Sequence, residues 1–319
     1  MDFQITFSTI SIAIIKLFVL MLIGYVLYLK KLIDDKFTDT LSLLLVRIFF
    51  PALIVAKIIS NFSFAEYTYW WILPLSSILF SLIGMIIGRL VYEFNLRDSD
   101  LRKEVMCSCG FQNAGYLPMN LILFSFAGVL EDRLLVYLFL FIMGFNTLMW
   151  SLIPLFLSGK LNKAFNIKIF LNPPVVTIIF SLIWVALLGK NTLPPVLMDP
   201  IKHLGQASFS IAMITLGAYL CRYKAYELRD KKPVIGSIVA KLGIFPILVL
   251  VLLRFIPIGM DYKFFLFLQA IMPTAVSLVV IGSYTGADNR FFAATIFYTH
   301  IAAILTMPLW LYVFQIFIG

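Results

Sequence analysis

Ten runs of apolar residues, each close to the length that crosses a bilayer, occupy most of this 319-residue chain and leave it little choice of fold. They lie at 8–29, 38–59, 68–92, 104–127, 134–157, 170–188, 203–221, 234–255, 263–284 and 291–316. A spanning helix needs about 20 mostly apolar residues, and in lipid every backbone N–H and C=O must be satisfied within the protein. The apolar fraction is 62% and the charged fraction 13%, against roughly 45–50% and about 25% in soluble domains. So few charges cannot coat a soluble particle of this size. The sequence therefore predicts an all-α, multi-pass protein of the cell (inner or plasma) membrane, surrounded by membrane lipids. The longest connections, 93–103, 158–169, 189–202 and 222–233, are too short to hold a soluble domain. Asp2 stands where a signal peptide would carry basic residues, so the first run reads as a retained helix.

The formal charge is +9, from 25 basic and 16 acidic residues. Its distribution points to membrane topology and to no nucleic-acid partner. Connections after the odd spans hold sixteen bases: Lys30, Lys31, Lys36, Arg89, Arg97, Arg102, Lys103, Lys160, Lys163, Lys168, Arg222, Lys224, Arg229, Lys231, Lys232 and Arg290. Those after the even spans hold five: Arg133, Lys190, Lys202, Arg254 and Lys263. Because Lys and Arg accumulate on the cytoplasmic side, both termini are expected outside the cytoplasm. Ten spans divide into halves of five, 1–157 and 158–319, and an odd number per half forces opposite orientations. That is the arithmetic of an inverted repeat.

Two of the runs are interrupted at matching places. The fourth contains Cys109-Gly110-Phe111-Gln112-Asn113-Ala114-Gly115-Tyr116-Leu117-Pro118, and the ninth contains Gln269-Ala270-Ile271-Met272-Pro273-Thr274-Ala275-Val276-Ser277. Paired Gly/Pro-interrupted spans are the best sequence pointer to a transporter's substrate site, because half-helix N-termini then face one small volume with partial positive charge. Gln112, Asn113, Gln269, Thr274 and Ser277 supply polar side chains there, while Gly115, Pro118 and Pro273 shape the breaks. The following connections, Glu131-Asp132-Arg133 and Asp288-Asn289-Arg290, and the late prolines Pro154 and Pro308 repeat the correspondence.

The acidic residues all lie in connections or within about a turn of a span end, which disfavours a carboxylate site for Na⁺ or protons. Four bases fall within spans: Lys16, Arg47, Lys57 and Lys241. Lys57 is close enough to an end to snorkel, and Lys16 and Lys241 are ambiguous. Arg47 lies near midspan, ~15 Å from water at 1.5 Å per residue, so it is expected to meet a buried partner, an aqueous cavity or an anionic ligand. His300 is the histidine well inside a span, read as a hydrogen-bonded core residue with a proton relay as the alternative. Asn146 reads as helix–helix glue, Gly84 and Gly88 form a GxxxG packing signature, and the tryptophans read mostly as interfacial anchors. Cys107, Cys109 and Cys221 lack metal-site spacing. No nucleophile–base pair, nucleotide loop or metal motif is legible, so neither enzyme activity nor any cofactor or metal is expected.

On Asn113-Ala114-Gly115-Tyr116-Leu117-Pro118, Met272-Pro273-Thr274-Ala275 and Phe49-Phe50-Pro51, the chain resembles the auxin efflux carrier family. That family includes plant auxin exporters and bacterial permeases assigned to malate or malonate. The resemblance implies a fold like that of sodium/bile-acid symporters, with broken helices crossing at spans 4 and 9. Spans 1, 2, 6 and 7 would form a scaffold, through which a homodimer is possible, and spans 3–5 and 8–10 a moving transport unit. Plant members carry a long loop where this chain has only 158–169, as suits a prokaryotic permease. The resulting expectation is a secondary carrier or uniporter for a small organic anion, with Gln112, Asn113, Gln269 and Thr274 on the carboxylate and Arg47 supplying positive potential. The alternatives are a sodium- or proton-coupled organic anion symporter and a non-transporting ligand sensor.

Overall fold

The protein is described here by a computed structural model covering residues 7–96, 99–159, 172–224 and 230–318. Asp2 and the loop bases Arg97, Lys160, Lys163, Lys168 and Arg229 lie outside the described residues. In chain order the helices are α1 (Phe7–Leu29), α2 (Asp35–Leu44), α3 (Phe50–Asn61), α4 (Ile72–Asn95), α5 (Arg102–Gly110), α6 (Tyr116–Ser125), α7 (Val129–Ser158), α8 (Pro173–Leu188), α9 (Pro195–Lys224), α10 (Lys232–Val239), α11 (Phe245–Phe255), α12 (Met260–Ala270), α13 (Ser277–Thr285) and α14 (Asn289–Phe317). Among the described residues, seven continuous helical segments are long and apolar enough to cross a membrane: α1, α2–α3, α4, α7, α9, α10–α11 and α14. Three apolar runs are built differently: α8 is short, and α5/α6 and α12/α13 are each parted by a non-helical stretch.

The segment α2–α3 runs through a π-helical turn at Leu45–Phe49, and α10–α11 through another at Ala240–Ile244. Each turn is followed by Phe-Pro, at Phe50-Pro51 and Phe245-Pro246. A proline inside a helix lacks the N–H that would bond the carbonyl four residues back, and its ring crowds that carbonyl. The wider turn accommodates the ring: the Phe50 N–H bonds Leu45 O and the Phe245 N–H bonds Ala240 O, one residue further back than in an α-helix. Pro246 strands the carbonyl of Leu242, and the Trp310 indole from α14 donates to it at 2.7 Å. Trp310→Phe therefore leaves a partly buried carbonyl unpaired and is expected to cost about 1–3 kcal/mol, read as a lowered Tm in detergent.

Close helix contacts are made at glycines. An alanine methyl at Gly217 of α9 would sit 1.8 Å from the Met21 carbonyl of α1, and one at Gly24 would sit 2.0 Å from Ile214 O. Gly205 meets the backbone of Leu53 in α3 less tightly, with an added β-carbon 2.8 Å from its Cα. Gly84 and Gly88 face Cys109, Gly110 and Met106 of α5, which gives the GxxxG signature its interface. The outward faces of α1 (Ile12, Ile15, Val19, Leu22) and α14 (Ile301, Leu305, Leu309) are exposed and apolar, as a lipid-facing surface must be.

Two helices begin well before the sequence reading has them, the first being α7, which starts at Val129 and not at 134 and takes Glu131-Asp132-Arg133 into its first turns. The seventh run begins at Pro195, not at 203, because Asp199, Pro200, Lys202 and His203 belong to the first turns of α9. Pro200 lies inside α9 and costs it the bond to the Val196 carbonyl, but a membrane helix tolerates one such loss, so a proline beside a few charges is a poor marker of a loop.

Candidate functional site

The two non-helical stretches meet and bond to each other. The Asn113 N–H donates to Pro273 O at 2.7 Å and the Ala275 N–H to Phe111 O at 2.9 Å, an antiparallel bridge that sets Gln112 opposite Thr274. Side chains complete the fastening. Gln269 Nε2 donates to Ala114 O at 3.2 Å, and Thr274 Oγ1 donates to Ser108 O at 3.1 Å. Thr299 Oγ1 of α14 accepts from the Thr274 N–H at 3.3 Å. Backbone groups released by two broken helices in an apolar setting thus find partners in each other.

Beside this bridge is a cavity of about 90 Å³, room for several waters. It is lined by Gln112, Asn113, Ala114, Gly115 and Tyr116 from one break and by Ala275, Val276 and Ser277 from the other. Gly115 and Val276 are the N-cap residues of α6 and α13, so both half-helices turn their N-terminal ends toward it. First-turn N–H groups have no intrahelical acceptor and carry the positive end of the helix dipole. Pro118 sits in that first turn of α6, where the missing N–H is harmless. The rest of the lining is Val46 and Phe50, then Ile142, Phe145, Asn146 and Trp150 of α7, then Asn172 and Pro174. Among the described lining residues no side chain is charged.

Residues 9–311 match a family described as membrane transport protein. The chain belongs to the auxin efflux carrier family. It is therefore a multi-pass membrane transporter. It is 25% identical over 299 residues to an uncharacterized transporter of Methanocaldococcus jannaschii, spanning 92% of this chain and 94% of that protein. It is 19% identical over 370 residues to the Arabidopsis thaliana protein PIN-LIKES 1, spanning 95% of this chain and 78% of that one.

In this auxin efflux carrier family member the residues singled out from sequence fall into three groups. Gln112, Asn113, Gly115 and Ser277 line the cavity, and Gln269, Pro273 and Thr274 hold the bridge behind it. His300 joins the same cluster. Its Nε2 is 3.2 Å from Asn113 Nδ2, and its Nδ1 is 2.8 Å from Ile296 O. The tautomer that satisfies both contacts carries its proton on Nδ1. Arg47 does not join them: its side chain is exposed, while its neighbours Val46 and Phe50 reach the cavity.

The buried base is instead Lys241. It is wholly buried, with Nζ 3.5 Å from Gln112 Oε1 and 4.6 Å above the Phe245 ring. Lys16 is exposed, 5.8 Å above Phe124. Lys57 is held by two carboxylates, Asp132 at 2.6 Å and Glu131 at 3.1 Å. Beside it Arg133 pairs with Asp261 at 3.1 Å. Asn146 and Trp150, read from sequence as helix glue and an anchor, line the cavity, as does Asn172. A polar or aromatic side chain one helical turn from a neighbouring cavity residue, as Asn146 is from Ile142, is the only periodic signal that sequence offers for them.

Proposed function

We propose that this protein is a secondary carrier for a small organic anion, a carboxylate or auxin-like acid, working by alternating access at the crossing of its fourth and ninth spans. The observation that carries this reading is the cavity where two helix N-termini and the amides of Gln112 and Asn113 converge with no carboxylate among the described lining residues. Such a site favours negative charge and gives a cation little to hold. Counting α5/α6, α8 and α12/α13 with the seven continuous segments gives ten spans, which we read as two inverted repeats of five with both termini outside. On this reading spans 1, 2, 6 and 7 form a scaffold that also serves a homodimer contact, and spans 3–5 and 8–10 carry the site. The cavity suits that division: Val46, Phe50, Asn172 and Pro174 bound it from the scaffold, and the remaining lining comes from the transport unit.

An inside-negative potential drives an anion outward by ~2.3 kcal/mol per charge per 100 mV, so export needs no coupling ion. In proteoliposomes loaded with labelled mono- and dicarboxylates, efflux is expected to rise with an inside-negative potential and to be unchanged when Na⁺ replaces K⁺. Absence of flux for every acid, with binding retained, would turn the reading into that of a ligand sensor. A strict Na⁺ requirement would make it a symporter.

A further inference from the structure

One buried base has no task in the carrier function as described. Lys241 occupies the second position of the π-helical turn Ala240–Ile244, and its side chain is excluded from solvent. Ion pairs among the described residues engage Lys57, Arg89, Arg133, Lys190 and Arg222, and none reaches Lys241. Its thiol neighbour Cys109 is turned toward the Ser237 carbonyl and brings no negative charge. Among the described residues, the Phe245 ring and the Gln112 carbonyl oxygen are what the ammonium has. A buried ammonium with a ring face and one long hydrogen bond is poorly compensated, and a nearby anion is what would balance it.

Gln112 stands between Lys241 and the cavity. Its Oε1 faces Lys241, and its Nε2 is buried without any partner, although the residue lines the cavity. An amide bonded at oxygen by a cation becomes a better donor at nitrogen, since hydrogen bonds in a chain polarise one another. A carboxylate in the cavity that accepts from Nε2 therefore satisfies the orphaned donor and offsets the ammonium in one step. We propose that Lys241 is the counter-charge of the transported anion, a positioning residue that acts on it through the Gln112 side chain and makes the site prefer a carboxylate over its uncharged isostere. This rests on the carrier reading given above.

The test is binding of acetate, malonate, benzoate and indole-3-acetate to the full-length protein in nanodiscs, each beside its amide. The wild type is expected to prefer the acid in at least one pair. Lys241→Met is expected to shrink that preference by about ten- to a hundredfold, with amide binding unchanged and Tm equal to or above that of wild type. Lys241→Arg is expected to keep most of the preference. If Lys241→Met retains the wild-type preference, or weakens acid and amide alike, the inference is overturned and the lysine is structural. If the wild type prefers no acid over its amide, the carrier reading itself fails, and this inference with it. Should Lys241→Met not fold, Gln112→Met carries the same test, and an unchanged preference there is equally decisive against it.

Discussion

Gly217→Leu is expected to eliminate the folded protein: no monodisperse peak in detergent by size-exclusion, where the wild type gives one. The reason is backbone against backbone. A β-carbon at 217 would lie 1.8 Å from Met21 O, 2.7 Å from its carbonyl carbon and 2.9 Å from Tyr25 N, where even close C···O contacts are ~3.3–3.6 Å. No side chain at that contact can move aside, so α1 and α9 must separate along their length. The same approach is made from the other side at Gly24, 2.0 Å from Ile214 O. A methyl alone, Gly217→Ala, brings the same β-carbon against the same backbone and is expected to cost more than the ~1–3 kcal/mol usual for overpacking, where side chains can give way. Gly243→Leu is the control, since nothing lies within 4 Å of a β-carbon there. A wild-type elution profile and Tm for Gly217→Leu would show that the two helices do not approach as described.

The second large effect is on transport. Asn113→Ala is expected to reduce flux in proteoliposomes by about ten- to a hundredfold, the worth of one hydrogen bond to a charged group. The backbone is not the issue, because the Asn113 N–H to Pro273 O bond survives the substitution. What is lost is an amide at the cavity wall and the partner of His300 Nε2, which is then left buried and unpaired. Asn113→Asp, which sets a negative charge against the proposed anionic substrate, is expected to be worse than alanine. Pro273→Ala keeps the accepting carbonyl but frees an N–H and loosens the turn, so a smaller loss is expected. If Asn113→Ala and Pro273→Ala both transport like wild type, the crossing is not the substrate site.

The breaks were legible in the sequence because glycine, proline and amides in an apolar run are costly without a use, and they coincide at corresponding places in the two halves. That Gln112, Asn113 and Ser277 share a cavity with Gly115 follows from their adjacency to those breaks. The choice between Arg47 and Lys241 was not legible. Both sit in apolar helices, and both helices contain a π-helical turn, which rotates everything beyond it relative to a regular helix. A periodicity argument therefore cannot say which base faces inward. Gly24 and Gly217 were invisible for another reason: a lone glycine in a membrane helix is common, and only the three-dimensional approach distinguishes it. Lys57 looked like a snorkelling residue because Glu131 and Asp132 are distant in sequence, although both were visible as a polar connection.

The bridge between the two breaks is made of main-chain groups. The bonded N–H and C=O groups of residues 111, 113, 273 and 275 do not depend on which side chain stands at 112, so beyond the bonds of Gln269, Thr274 and Thr299 the joint asks little of the cavity wall. Amino-acid changes at the cavity wall can therefore retune what the cavity accepts while the two half-helices stay fastened. A lineage built on such a joint is free to change its cargo by single substitutions without first having to invent a new way of holding itself together.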